Sequence, residues 1–314
     1  MITKERNVFK TCSFFILFFY LSVLLIFQAI NNNVQITWMF ACFLVAISFI
    51  FTQIIKGIFA NRIRHQYQTS TSNQKRKVYV GLVIFLFTLI FFVIYLLGQY
   101  PGGLSPDTVN QYSQALSSQY NDWHPALHTI LFFTLPLKTG HHLGFIVSLQ
   151  LLYFSIAFGY LMYVIYRNGC SFISLIGICI YVWVNPFLAS YMMYPWKDIG
   201  FTIFSVILMA YYIQIIYSKG AWLRKQNIFL FSIVAVLCMT LRHNAILFVF
   251  PLVVIVLRHI KDKKKILLTV TAISICILGI RLTYTALDVK KPGSRVIETI
   301  GLPATIWCNV IQNS

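Results

Sequence analysis

Of the 314 residues, 59% are hydrophobic and only 10% are charged. A soluble core cannot bury so large an apolar share, so the composition excludes an ordinary soluble domain and predicts a protein that lies in lipid. The net charge of +18 would suit a nucleic-acid partner. However, Lys and Arg cluster in short hydrophilic gaps between long apolar runs, as the positive-inside rule describes, so membrane lipid is the expected partner and nucleic acid is not.

The apolar runs predict an all-α fold, a polytopic bundle of transmembrane helices. A helix of about 20 apolar residues crosses the hydrocarbon core, and its backbone polar groups are satisfied within the helix. The chain has room for about nine such spans. They are expected at residues 12–30, 37–60, 79–98, 143–165, 171–192, 198–217, 227–241, 244–257 and 266–286. This defines a two-span hairpin with a cytoplasmic loop (1–78), a core (79–286) and a tail (287–314).

The basic gaps predict the orientation in the membrane. They fall at residues 62–77, 219–225 and 258–265, which places the N-terminus inside and the C-terminus outside. Residues 126–138 are apolar but too short to span, so they are expected to form an interfacial or re-entrant helix on the outer side. The sequence stops after another apolar stretch, and we expect the chain to be a fragment of a longer protein.

The outer loop 99–125 is the first candidate site. Ser105, Pro106 and Asp107 read as the N-cap and first two residues of a helix that runs to about Leu116. Two interpretations of Asp107 stay open at this point. Its carboxylate either complements the helix dipole or serves as a catalytic or ligand-binding group.

The same loop ends in Asp122, Trp123, His124 and Pro125. One interpretation is an Asx turn beside a Trp that anchors the loop at the interface. The other is a functional group of residues, in which Asp and His supply a base and a proton carrier and Trp supplies a stacking face. His128 follows His124 by one helical turn and is placed to share its face.

Two further candidates lie at predicted helix ends. Lys197 and Asp198 form either a solvated pair or, through Lys197, a phosphate contact. Arg242 and His243 lie between two short apolar helices, where an ionisable side chain is costly unless it faces a cavity. Arg suits a bidentate grip on phosphate. Arg281, in contrast, is expected to extend along the outer half of the last span to the membrane surface.

The segments GGLSPD (102–107) and DWHP (122–125), which follow a span, resemble the outer loop of the GT-C superfamily of membrane glycosyltransferases. The likeness covers residues 79–286, and the DWHP loop is similar to that of a family of bacterial membrane proteins. The resemblance implies a sugar donor linked to polyprenyl phosphate, a glycan or protein acceptor, and a location in the bacterial cytoplasmic membrane. It also implies a role in making cell envelope polysaccharide.

By this resemblance the catalytic candidates are Asp107, Asp122 and His124, with Asp107 as the base. The candidates for binding the lipid phosphate are Lys197, Arg242 and His243. A divalent cation, Mg²⁺ or Mn²⁺, held by Asp107 and Asp122 is an optional cofactor, because hard cations prefer oxygen ligands. Two alternatives stay open: a transporter or lipid flippase lined by the basic residues, and an inactive truncated membrane protein.

Overall fold

The computed structural model describes residues 74–140, 142–260 and 262–291. Apart from Gly169–Ser171, these residues belong to one compact unit, Asn73–Asn168 with Phe172–Ser314. Its helices are α1 (Gln74–Gly98), α2 (Pro106–Ser117), α3 (Ala126–Thr129), α4 (Leu135–Gly140), α5 (Leu143–Arg167), α6 (Phe172–Val184), α7 (Pro186–Met192), α8 (Lys197–Tyr217), α9 (Lys225–Leu241), α10 (Ile246–His259) and α11 (Lys263–Ala286). A π-helical turn (Ile130–Thr134) joins α3 to α4, and a 3-10 turn (His243–Ala245) precedes α10. The predicted all-α class is confirmed for this part of the chain.

Four helices in the described ranges are long and apolar enough to cross a membrane. They are α1 from Arg76 onward, α5, α8 and α11. The pair α6 and α7 makes a fifth if it is counted as one bent span, and α9 and α10 are shorter apolar helices. These helices support membrane insertion, whereas the total of about nine spans stays a prediction. The expected spans at 12–30 and 37–60, and the tail beyond residue 291, lie outside the described residues.

The segment expected to be a single span at 171–192 is broken between α6 and α7. The two helices meet at 62°. Pro186 begins α7, and a helix is disfavoured at the residue before a proline. Asn185 caps the new helix, since its Oδ1 atom accepts hydrogen bonds from the backbone N–H groups of Phe187 (3.1 Å) and Leu188 (3.2 Å). The proline and the Asn185 cap therefore explain why a new helix starts at Pro186. The short α7 ends at Met192, and a tight turn leads from it into α8.

The central helix α5 packs against both α1 and α8, and α9 packs against α8 and α11. At the α1–α5 contact, Phe92 meets Phe154 edge to face with ring centroids 5.6 Å apart. One apolar cluster joins α1, α5, α7 and the start of α8, and a second joins the rest of α8 with α9 and α10. Because α8 belongs to both clusters, its first turn is held firmly relative to the loops that surround it.

The orientation is tested at Ser118, the exposed C-cap residue of α2. We expect a cysteine at this position, in a chain otherwise free of cysteine, to react with a membrane-impermeant maleimide on intact cells. The positive-inside pattern places residues 99–142 outside. Labelling only after the membrane is permeabilised would reverse the assigned orientation.

Candidate functional site

The helix α2 begins as the sequence predicts. Ser105 is its N-cap, and its Oγ atom accepts a hydrogen bond from the backbone N–H of Thr108 at 3.2 Å. Pro106 and Asp107 occupy the first turn, and the helix ends at Ser117. The carboxylate of Asp107 therefore lies at the positive end of a helix dipole, as the structural interpretation required. The groups around Asp107 determine whether its carboxylate can also act as a catalytic or ligand-binding group.

The two glycines before α2 bring this helix close to the end of α7. Gly102 has φ of +107°, which favours glycine, and a Cβ atom there would lie 2.7 Å from Val147 Cγ2. The backbone N–H of Gly103 donates to the carbonyl of Met193 at 2.9 Å. The start of α2 is therefore fastened to the turn that leads into α8.

Two side chains complete this attachment. The indole Nε1–H of Trp196 donates to Ser105 Oγ at 2.6 Å. The buried Gln150 of α5 donates from Nε2 to the carbonyls of Met192 (3.0 Å) and Tyr194 (3.2 Å). These hydrogen bonds hold the first turn of α2 beside the first turn of α8. Gln150 of α5 fixes the turn that precedes α8.

Three sequence-predicted residues meet between these two turns. Asp107 Oδ1 lies 3.8 Å from His124 Nε2, and Asp107 Oδ2 lies 3.9 Å from Lys197 Nζ. Lys197 Nζ is also 3.3 Å from His124 Nδ1. Because an ammonium group only donates, this contact makes Nδ1 the acceptor and leaves the proton of a neutral imidazole on Nε2, facing Asp107. The three groups form a triangle of one carboxylate, one ammonium and one imidazole.

The triangle borders an open cavity of about 220 Å³ lined by Asp107, Gln111, Trp196, Lys197 and Asp198. The side chain of Asp107 is 54% exposed and that of His124 only 5%. An incoming molecule therefore meets the carboxylate of Asp107 first, with the imidazole behind it.

Arg242 lies beside this cavity. It follows α9 in an extended conformation, and its Nη1 atom is 3.1 Å from Asp198 Oδ1. That oxygen is shielded from solvent and has no partner of hydrogen-bond geometry, so the contact is an ion pair without an aligned hydrogen bond. The guanidinium also lies 5.9 Å from the ring centre of Phe201. With 47% of its side chain exposed, Arg242 still has donors that face solvent.

Asp122 and His243 complete the set of predicted site residues. Asp122 Oδ1 accepts a hydrogen bond from the backbone N–H of Ala126 at 3.1 Å, so this carboxylate caps the start of α3. Pro125 is the N-cap position of α3 rather than part of its first turn. The side chain of His243 lies outside what the structure describes.

No group of three or more His, Cys, Asp or Glu side chains within the described ranges is placed to hold a metal ion. The neighbours of Asp107 are an ammonium and an imidazole. The ammonium of Lys197 would repel a divalent cation at this carboxylate. A cation bound by Asp107 and Asp122 stays a prediction.

Helix α11 and the residues that follow it contact the DWHP loop (122–125) and its neighbours. The backbone N–H of Leu127 donates to Tyr284 Oη at 3.0 Å. Lys290 pairs with the loop through two backbone hydrogen bonds, from its N–H to the carbonyl of Tyr120 (3.0 Å) and from the N–H of Asp122 to its carbonyl (2.9 Å). No local pattern in the sequence predicts this contact, because its two sides are far apart in the chain.

A second layer under the cavity includes Gln111 and His128. The sequence analysis did not select Gln111, although its side chain forms part of the cavity wall and is 1% exposed. Its Oε1 atom is 2.6 Å from His128 Nδ1 and accepts the proton there, with Thr129 Oγ donating to the same oxygen at 3.4 Å. His128 is fully buried and stacks on Phe132. It therefore supports the wall of the cavity and does not face it.

Burial lowers the pKa of His128 to about 3. Positive charge on His124, when that imidazole is protonated, and on Lys197 lowers this pKa further, whereas the hydrogen bond to the Trp196 carbonyl raises it. Unfolding returns the group to its ordinary pKa of 6.5. The unfolded chain thus binds one more proton between pH 6.5 and about 3, and the contribution of His128 to stability is complete above 6.5 and falls as the pH is lowered through this window.

We expect the free energy of unfolding to fall by about 1.4 kcal/mol per pH unit from this residue alone below pH 6. The His128→Gln variant should lack this part of the pH dependence. Thermal unfolding in detergent between pH 4.5 and 7.5 measures it. Parallel pH profiles for the two proteins would contradict the assignment.

Gly200 of α8 gives His128 its space. A Cβ atom there would lie 2.8 Å from His128 Cδ2 and 3.0 Å from Phe132 Cε2. We expect Gly200→Ala to destabilise the protein by about 1–3 kcal/mol through overpacking. Gly279→Ala is the matched control, since no atom lies within 4 Å of its added methyl group. Equal thermal midpoints for the two variants would show that the site around His128 is loosely packed.

No protein-family model matches this sequence, and comparisons with curated proteins and with solved structures find no match.

Proposed function

We propose that this protein is a membrane glycosyltransferase of the GT-C type, which transfers a sugar from a polyprenyl-phosphate-linked donor to a glycan or protein acceptor at the outer membrane face. The observation that carries the proposal is the position of Asp107. Its exposed carboxylate lies at the mouth of a cavity and is flanked by Lys197 and His124. The cavity lies at the start of α8, an apolar helix of membrane-spanning length, so it is within reach of a lipid-linked donor.

In the proposed reaction Asp107 acts as general base. Its carboxylate takes the proton from an acceptor hydroxyl while that oxygen forms a bond to the anomeric carbon of the donor sugar. The bond between this carbon and the phosphate oxygen breaks, and the electron pair leaves with the lipid phosphate. The donor is already activated, so positioning and charge stabilisation supply most of the acceleration.

Lys197 and His124 have separate roles in this scheme. The ammonium of Lys197 lies 3.9 Å from Asp107 and beside the cavity, where it orients the carboxylate and attracts the phosphate of the donor. The Nε2–H of His124 faces Asp107 from the buried side at 3.8 Å. Movement of less than 1 Å would close this contact to a hydrogen bond and hold the carboxylate toward the acceptor.

Arg242 is the second proposed contact for the departing phosphate. Its ion pair with Asp198 keeps the guanidinium at the edge of the cavity. A guanidinium has five N–H donors, so it can keep one carboxylate contact and still bind a phosphate oxygen. Asp198 thereby positions Arg242, and the phosphate binds to the donors that point away from the pair.

A transfer assay tests the proposal. Purified full-length protein in detergent is mixed with a radiolabelled polyprenyl-phosphate sugar and a panel of glycan and peptide acceptors, and labelled water-soluble product is measured. We expect product only with the protein present. A flippase would instead move the labelled donor across liposomes without breaking its sugar–phosphate bond. Translocation of intact donor with no product from any acceptor would refute the transferase proposal.

A further inference from the structure

A second cavity lies at the far end of α8 from Asp107. It has a volume of about 480 Å³ and is formed by the end of α5, the end of α8 and the start of α9. Because α8 has 21 residues, the two cavities are about 30 Å apart along it. In the orientation expected from the basic loops, this second cavity opens on the cytoplasmic side.

The walls of this cavity are basic. Arg167, the last residue of α5, and Arg224, the N-cap of α9, both contribute to it. The described residues that line it include no Asp or Glu. Within the described ranges neither guanidinium forms an ion pair, and the only side-chain hydrogen bond of Arg167 goes to Tyr163 Oη at 3.4 Å. Two guanidiniums beside one cavity attract an anion, and phosphate matches their geometry.

The amide side chains of the cavity add a second requirement. Asn168 Nδ2 donates to the carbonyl of Val164 at 2.7 Å, and Asn227 Nδ2 donates to the carbonyl of Trp222 at 2.6 Å. A backbone carbonyl only accepts, so these bonds set which end of each amide is the NH₂ group. The two Oδ1 atoms accept no hydrogen bond from any described residue and are not sealed from solvent. They are free to accept from donor groups on a ligand.

Gln214 provides a third amide in the same wall. Its Nε2 atom donates to Tyr160 Oη at 2.7 Å. The side chain of Gln214 is 8% exposed, and its oxygen accepts no hydrogen bond from the described residues. Gln226 also lines the cavity, which thus combines two cations with four amide side chains. This combination fits a phosphate that carries hydroxyl or amine groups and disfavours a phosphate with no hydrogen-bond donors.

We propose that this cavity binds the phosphate headgroup of an anionic phospholipid with hydroxyl donors, from the leaflet opposite the Asp107 site. The aromatic rings of Tyr217 and Trp222 line the same opening, and such rings are frequent at the level of lipid headgroups. Basic pockets between membrane helices bind headgroups of this kind. The proposal concerns a different end of the bundle and does not depend on the transfer reaction.

Native mass spectrometry of the detergent-purified full chain tests the site. The probes are dioleoyl-phosphatidylglycerol, which has two hydroxyls, and dioleoyl-phosphatidylcholine, which has no headgroup donor. We expect one phosphatidylglycerol to bind with at least about tenfold higher affinity than phosphatidylcholine. Phosphatidylcholine carries no net charge, and its headgroup has no donor for the amide oxygens of the cavity. Equal affinity for the two lipids would overturn the proposal.

The variant Arg167→Gln/Arg224→Gln should lower the affinity for phosphatidylglycerol about tenfold to thirtyfold, because it removes both cations. Both side chains are exposed, so folding should be retained, and each single variant should give a smaller loss in the same direction. The matched control is Arg258→Gln/Lys264→Gln, which removes two basic charges outside the cavity lining. If the control lost the same affinity for phosphatidylglycerol, the effect would come from general surface charge and the proposed site would be refuted.

Competition with glycerol 3-phosphate tests whether the ligand of this cavity is a phospholipid or a soluble phosphate compound. We expect a large excess of it to leave bound phosphatidylglycerol in place, because the acyl chains contribute to lipid binding. Displacement at equal concentration would overturn the lipid assignment and identify a soluble phosphate compound as the ligand.

Discussion

We expect Asp107→Asn to lower the rate of sugar transfer by about 10²–10⁴-fold, the usual contribution of a general base. The amide is nearly the same size as the carboxylate but cannot take the proton of an acceptor hydroxyl. Donor affinity should change little, since in the proposed reaction Lys197 and Arg242 bind the phosphate. Single-turnover transfer and donor binding, measured on the same preparation, separate these two effects.

Asp288→Asn is the control for this experiment. It removes another exposed carboxylate, which follows α11 and forms no ion pair with a described residue. If Asp107 only complements the dipole of α2, its substitution should cost about 0.3–1 kcal/mol of stability and leave the rate unchanged. An Asp107→Asn protein with the transfer rate of the Asp288→Asn control would remove Asp107 from the catalytic role.

The second large effect is expected at Arg242. Arg242→Ala should weaken donor binding by about 10- to 100-fold, the range for lost hydrogen bonds to a charged group. Arg242→Lys keeps the charge and loses the bidentate fork, so its loss should be smaller. Arg281→Ala, in the exposed outer half of α11, is the control for the removal of an arginine from an apolar helix end. Binding of a labelled polyprenyl-phosphate sugar to the detergent-purified protein measures all three.

Asp198 distinguishes a phosphate contact from a purely structural ion pair. If Arg242 serves only Asp198, then Arg242→Ala, Asp198→Asn and the double variant should share one loss of stability and leave donor affinity unchanged. If it binds phosphate, Arg242→Ala should weaken donor binding more than Asp198→Asn does, because Asp198 only positions the guanidinium and does not itself bind the donor. Wild-type donor affinity in Arg242→Ala would refute the phosphate role.

Local signals in the sequence predicted the helix ends well. The order Ser105, Pro106, Asp107 placed the first turn of α2 correctly, because an N-cap side chain and a proline act within a few residues of each other. The break after α9 was also expected, since Arg242 is too polar to continue an apolar helix. The bend at Asn185 and Pro186 was missed, although the proline was its signal, because the apolar run on both sides read as one span.

The partners of the site residues were not predictable in the same way. Asp122 and Asp107 are in the same loop, but the sequence did not indicate that Asp122 accepts a hydrogen bond from the first residue of α3 or that Asp107 lies beside Lys197. The contact between Asp107 and Lys197 requires α7 to end against Gly103 and Trp196 to reach Ser105. Such contacts come from the packing of α1, α7 and α8 around α5, and hydrophobic periodicity carries no information about them.

The sequence by itself determined the all-α class of the described residues and the apolar helices that support membrane insertion. It also determined where several helices begin and end and which polar residues lie at those ends. These properties depend on composition and on interactions within a few residues. Only the tertiary structure decided which of the polar ends meet: Asp107 with His124 and Lys197, Asp198 with Arg242, and Arg167 with Arg224 at the opposite cavity. The reason is physical, because apolar side chains drive the helices together without specifying partners, and the side-chain shapes at each contact select one arrangement among many.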